Sequence, residues 1–227
     1  MYSSTEIQFN RARYLLKKSK RILICGHQRP DADSIGSCLA LYLALGSSKK
    51  NICFSKDSIP ESFKFLPKIE VFEKKIDKTA INLVIILDSG SLKRSALDGV
   101  SLSLPTINID HHHDNQNFGL INIVDQVSST AEILYNLFLK LKIKITPEIA
   151  TCLLSGIFDD TDTFRTPNVT PQTLEIISHL LSSGARMKKI VKSLLYEKSL
   201  ASLKLWGKAM ARLKENKYGM VYTLILK

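Results

Sequence analysis

The stretch "INLVIIL", residues 81–87, is an unbroken apolar run that stops abruptly at Asp88. A run of that length without polar alternation reads as a central parallel strand buried on both faces. "RILICG" (21–26) repeats the pattern and ends at His27, and "TINI" (106–109) repeats it and ends at Asp110. "NICFS" and "GLINIV" add two shorter strands. Helical periodicity fills the spaces, over 34–45 with Ser34 as N-cap, and then at about 128–141, 147–158, 171–183 and 186–196. This order predicts an α/β fold, a mostly parallel sheet flanked by helices.

In an open parallel sheet the C-terminal strand ends share one edge, and ligands bind in the crevice there. His27, Asp88 and Asp110 should therefore meet although they lie far apart in sequence. The turn "GHQRPDADS" adds Asp31 and Asp33 to the same edge, "DHHHD" adds His111 and His112, and "GIFDDTDTFRT" adds Asp160. Carboxylates crowded together repel one another and resist desolvation unless positive charge sits among them. Oxygen and imidazole donors in this mixture suit Mn²⁺, Fe²⁺, Co²⁺, Zn²⁺ or Mg²⁺. There are more acids than one ion needs, and two cations sharing a carboxylate would satisfy them.

Composition narrows the class. Hydrophobic residues make up 44% and charged residues 23%, as in ordinary globular chains. No apolar run is long enough to cross a bilayer, and the N-terminal segment reads as an amphipathic helix rather than a signal peptide, so a cytoplasmic protein is expected. Cys25, Cys38, Cys53 and Cys152 are scattered and read as reduced core residues. The net charge of +11 fits a polyanionic partner, and equally fits solvated lysine faces.

Four ordered motifs, "GHQRPDADSIGS", "ILDSGSLKR", "NIDHHHDN" and "GIFDDTDTFRT", resemble those of the DHH phosphoesterase superfamily over roughly residues 20–200. Within it the chain looks most like the bacterial nanoRNase and 3′-phosphoadenosine 5′-phosphate (pAp) phosphatase group, which is RecJ-like. The resemblance implies a role for each matching position. His27 and Asp31 would hold one metal and Asp33 the other. Asp88 would bridge them, and His111 and Asp160 would complete the ligand set of the second metal. Asp110 would orient a histidine, and His112 would lie near the substrate phosphate. The implied cofactors are two divalent ions, manganese above all. The implied reaction is in-line attack on phosphorus by water activated between the ions, without a covalent intermediate. Arg94 and Arg165 follow motifs closely and are candidate phosphate contacts, with a structural salt bridge the competing reading for each. His113 and Asp114 extend the third motif and read as surface residues. His179 reads as a packed or surface histidine, and Trp206 as packing.

The expected substrate is a short oligoribonucleotide, pAp or a related nucleotide phosphate, with a homodimer left open. Cyclic-dinucleotide hydrolysis, RecJ-type exonuclease action and pyrophosphate hydrolysis are alternatives within the superfamily. A weakly active or inactive metal-bound regulatory protein is the alternative outside it. The expected organisation is a catalytic domain over 1–196. After it, 197–227 would form a connector helix and the first strand of a second domain, whose glycine-rich substrate motif does not occur in the sequence.

Overall fold

The computed structural model describes residues 4–46, 51–77, 81–99 and 103–225. Six strands form one sheet in the order β3-β2-β1-β4-β5-β6, every neighbouring pair parallel. They are β1 (Ile22–Cys25), β2 (Ile52–Phe54), β3 (Phe72–Glu73), β4 (Leu83–Leu87), β5 (Thr106–Asp110) and β6 (Ile121–Val124). The chain runs outward from β1 through β3, returns to place β4 beside β1, and then runs outward the other way. The strand order thus reverses between β1 and β4, where a doubly wound sheet opens its crevice.

Alternate residues of each strand feed two cores. Ile22, Ile24, Leu83, Ile85, Leu87, Ile107 and Ile109 face the larger one, with α1 (Ser4–Lys18), α2 (Ala32–Leu45), α3 (Thr130–Lys140) and α4 (Pro147–Asp160) packed over them. α5 (Pro171–Ser182) and α6 (Met187–Val191) extend this layer through Ile176, Leu180 and Ile190. Leu23, Cys25, Val84 and Ile86 face the smaller core, closed by Ala96 and Leu97 of a connecting segment. Both faces of β4 are covered, which is why its sequence does not alternate.

Two glycines set how closely α2 and α4 approach. A Cβ at Gly36 would collide with the Cys152 carbonyl, and one at Gly156 with the Asp33 carboxylate. Any side chain at Gly156 would therefore push the two helices apart where Asp33 meets α4.

Two sequence expectations are corrected. α2 starts earlier than expected, because Asp31 and not Ser34 is the N-cap: Asp31 Oδ1 accepts the Ser34 N–H at 2.9 Å. Ser34 Oγ instead accepts the His27 N–H at 3.2 Å. Trp206 does not pack: it is 64% exposed on α7 (Leu200–Met210), a helix with no buried residue. After α7 the chain forms a two-stranded antiparallel pair, β7 (Lys214–Glu215) and β8 (Val221–Tyr222), separate from the main sheet.

All four cysteines are free and buried, and burial pushes each thiol well above its ordinary pKa. A thiol that cannot ionise reacts slowly. Ellman's reagent should label less than one thiol per native chain and all four in guanidinium; rapid labelling of the native chain would contradict this packing.

Candidate active site

The segments at the C-terminal ends of β1, β4 and β5 bring seven predicted site residues to the strand-end edge, and the C-terminus of α4 adds an eighth, Asp160. Asp88, the first residue after β4, is buried and adopts φ 55°, a left-handed conformation uncommon for a residue with a side chain. That turn aims its carboxylate back across the edge. Asp88 Oδ2 lies 3.3 Å from His27 Nε2, and Oδ1 lies 3.6 Å from His111 Nε2 and 3.8 Å from His112 Nδ1. One carboxylate thus faces three imidazoles from two loops.

Around this centre the other groups pair off. His27 Nε2 is 3.2 Å from Asp31 Oδ2, while His27 Nδ1 contacts the Gln28 carbonyl at 2.7 Å, which fixes the ring. His111 Nε2 is 3.0 Å from Asp160 Oδ2. Asp110 Oδ1 lies 2.7 Å from His112 Nδ1, and Asp110 Oδ2 accepts from Asn115 Nδ2 at 2.5 Å.

Asp33 is placed by a device the sequence reading missed. Its Oδ2 accepts the Thr130 N–H at 2.8 Å and its Oδ1 the Ala131 N–H at 3.0 Å, both from the first turn of α3. Those N–H groups have no partner inside the helix, and the helix dipole favours an anion there. Thr130 Oγ1 also donates to Asp88 Oδ1 at 3.3 Å. The first turn of α3 is itself fixed by Ser129, whose Oγ accepts the Glu132 N–H at 3.2 Å. Buried Glu132 accepts from Ser128 at 2.5 Å and from Thr173 of α5 at 3.0 Å. The sequence "SSTAE" carried the Ser-x-x-Glu signature of a helix start that would have revealed this turn.

The structure separates the acids of the fourth motif. Asp160 faces His111, whereas Asp159 Oδ2 accepts the Ala32 N–H at 3.1 Å and so supports the start of α2. Asp162 turns away and pairs with Arg165 at 2.8 Å on the surface. Arg165 is therefore engaged within its own turn. Arg94 Nη1 is 4.0 Å from Asp114 Oδ2 and lines a cleft with His27. His179 packs edge-on against Tyr135.

The electrostatics follow from this crowding. Burial opposes a charge on His27, but Asp31 and Asp88 outweigh it and raise the imidazole to about 11. His111 rises to about 9 in the same way, against burial, through Asp160, Asp88 and Asp110. Burial, with Asp88 and Asp31 nearby, pushes Asp160 up to about 6 despite His111. Burial first, and then Asp160, Asp88 and Asp31, hold Asp33 well above the usual carboxylate range. Burial would raise Asp110 too, but its bonds with His112 and Asn115 pull it below that range.

The donor set fits divalent cations. Three groups bring one ligand atom from each member within 4.8 Å of the rest: His27, Asp31 and Asp88; Asp33, Asp88, His111 and Asp160; and Asp88, His111 and His112. Asp88 belongs to all three. Among the described residues the buried Oδ2 of Asp160 accepts no hydrogen bond, despite its 3.0 Å approach to His111. A buried carboxylate oxygen left in that state suits a cation as partner.

The model of the DHH family, N-terminal domain, matches residues 21–157. The chain belongs to the DHH family. It is 37% identical over 171 residues to the bifunctional oligoribonuclease and PAP phosphatase NrnA of Thermus thermophilus, covering 74% of this chain and 52% of that protein. It is 30% identical over 167 residues to a probable manganese-dependent inorganic pyrophosphatase of Lactococcus lactis, covering 66% of this chain and 51% of that one. Among solved structures, an exopolyphosphatase-related protein from Bacteroides fragilis superposes with a TM-score of 0.86 at 25% identity, covering 96% of this chain and 68% of its own. The chain spans about half the length of these two curated relatives.

Asp160→Ala and Asp159→Ala should separate cleanly. The first should lower the number of Mn²⁺ ions bound per chain at equilibrium. The second should keep that number and lower stability by about 1 kcal/mol, as loss of a helix-start acceptor does. Metal loss in Asp159→Ala with retention in Asp160→Ala would reverse the assignment.

Proposed function

We propose that this chain is a two-cation phosphoesterase acting on short oligoribonucleotides and on pAp. The observation that carries the reading is Asp88, a single buried carboxylate shared by two opposed ligand sets. In this reading His27 and Asp31 hold one ion, Asp33, His111 and Asp160 hold the other, and Asp88 serves both. Two divalent ions so held supply Lewis acidity toward phosphoryl oxygens and bring the pKa of water toward neutrality.

The chain's own residues do the positioning. The first turn of α3 fixes Asp33 and Asp88 relative to each other, so the two sets cannot drift independently. Asp110 holds the His112 ring at the mouth of the cluster, where it is half-buried and can meet a phosphate oxygen. Arg94, on the cleft beside His27, is a further candidate phosphate contact of the substrate. The Thermus relative's name supports oligoribonucleotides and PAP as substrates, and the Lactococcus relative's name supports manganese as the activating ion. Residues 1–196 would form the catalytic domain, and 197–227 a connector helix and the first strand of a second one. No described helix is long and apolar enough to cross a membrane.

Phosphate release from pAp, dinucleotides, cyclic dinucleotides and pyrophosphate, assayed with and without Mn²⁺, tests this. Activity should require the metal and favour pAp or dinucleotides. Asp88→Asn keeps the side-chain shape, and Asn tolerates the left-handed backbone. It should still cost more than the roughly 10–100-fold typical of changing a residue behind a metal ligand. Full activity in Asp88→Asn, or preference for pyrophosphate, would contradict the reading.

A further inference from the structure

We propose that the cleft beside His27 is a binding subsite for a second phosphate of the substrate, one that is not hydrolysed, held by Arg29 and Lys93 together with Arg94. The proposal rests on the phosphoesterase reading for its substrate, and on the following geometry for its site.

The cleft measures about 490 Å³ and is lined by His27, Gln28, Arg29, Lys93 and Arg94. Pockets for small ligands run from about 300 to 1,000 Å³, so this one admits a phosphate with part of the nucleoside that carries it. Three of its five lining residues are cationic and none is acidic. Arg29 and Lys93 make no ion pair among the described residues, and Arg94 has only the 4.0 Å approach of Asp114. All three side chains are exposed and free to turn onto a ligand.

Exposed cations are common, but the backbone that carries these is built. The loops after β1 and β4 come from the two strands at which the sheet order reverses, and they are clipped together here. Gln28 N–H donates to the Arg94 carbonyl at 2.9 Å. Gln28 Nε2 donates to the carbonyls of Lys93 and Ser95 at 3.1 and 3.2 Å. Ala96 N–H donates to the Gly26 carbonyl at 2.8 Å, and His27 bridges Ser95. One glutamine thus spans both loops and fixes the spacing of Arg29 from Lys93 and Arg94. Arg29 itself sits at φ 52°, a left-handed conformation, and its N–H is held by Asp57 Oδ2 at 2.6 Å. A strained residue kept in place by its surroundings is a frequent mark of a ligand site.

His27 joins the two regions, since it lines the cleft on one side and contacts Asp88 on the other. A substrate phosphate at the Asp88 cluster and a second phosphate in the cleft would lie on either side of one imidazole. Guanidinium groups grip phosphate through paired, charge-assisted bonds, and the lysine adds a mobile point charge. The subsite would select compounds with two phosphates on one nucleoside over singly phosphorylated ones.

The test compares adenosine 3′,5′-bisphosphate with adenosine monophosphate on the full Mn²⁺-loaded chain, by equilibrium binding and by KM and kcat. The variants are Arg29→Gln and Lys93→Gln, singly and together, with Arg29→Lys as the conservative control. The wild-type chain should bind the bisphosphate more tightly, and added salt should shrink the margin. Each glutamine variant should raise KM for the bisphosphate about tenfold, the scale of one charge-assisted bond, with a smaller change for the monophosphate. Arg29→Lys should recover part of the loss. Equal wild-type affinity for the two ligands, or equal losses for both in the double variant, would overturn the subsite. Failure of the chain to hydrolyse any ester with Mn²⁺ would instead defeat the phosphoesterase reading, and the binding ratio would still decide the subsite.

Discussion

The arrangement depends on one buried carboxylate that cannot be left without positive neighbours. Asp88 stands at the end of a strand covered on both faces, where water cannot solvate it freely. Desolvating an ionised carboxylate is costly unless charge and hydrogen bonds replace the water. Three imidazoles and the Thr130 hydroxyl do so here. The left-handed backbone at Asp88 is the local strain that brings the carboxylate to that position, and the surrounding contacts hold it there.

The fold supplies those neighbours from separate parts of the chain. Parallel strands deliver His27, Asp88 and the Asp110–His112 segment to one edge. α4 delivers Asp160 from the same side, and it can do so only because Gly36 and Gly156 let it lie tightly against α2. The first turn of α3 is the fixed point between them, since its free N–H groups hold Asp33 while its hydroxyl holds Asp88. Helix-end chemistry therefore serves the site as much as the helix.

Most of this edge was legible in the sequence, because an apolar run that stops at a charged residue marks a buried strand's end. The metal-ligating types then recur at each such end. What stayed hidden depends on contacts between distant residues or on rival local choices. Asp31 and Ser34 are both competent caps, and only the fold shows that Asp31 caps α2 while Ser34 supports His27. β3 is two residues long and leaves no periodicity. Trp206 sits in a helical pattern that reads as packed, yet that helix has no buried face among the described residues. The Gln28 clip joins positions 65 and 67 residues apart, and no spacing rule points to it.

The central claim is that Asp88 is shared by two cations, and anomalous scattering at the manganese edge from crystals grown with Mn²⁺ tests it most directly. The account predicts two peaks roughly 3.5–4 Å apart, the spacing of two-metal sites. One should lie against His27 and Asp31, the other against His111 and Asp160, with the Asp88 carboxylate between them. A single peak, or two peaks that both lie beyond ligand distance of Asp88, would contradict it.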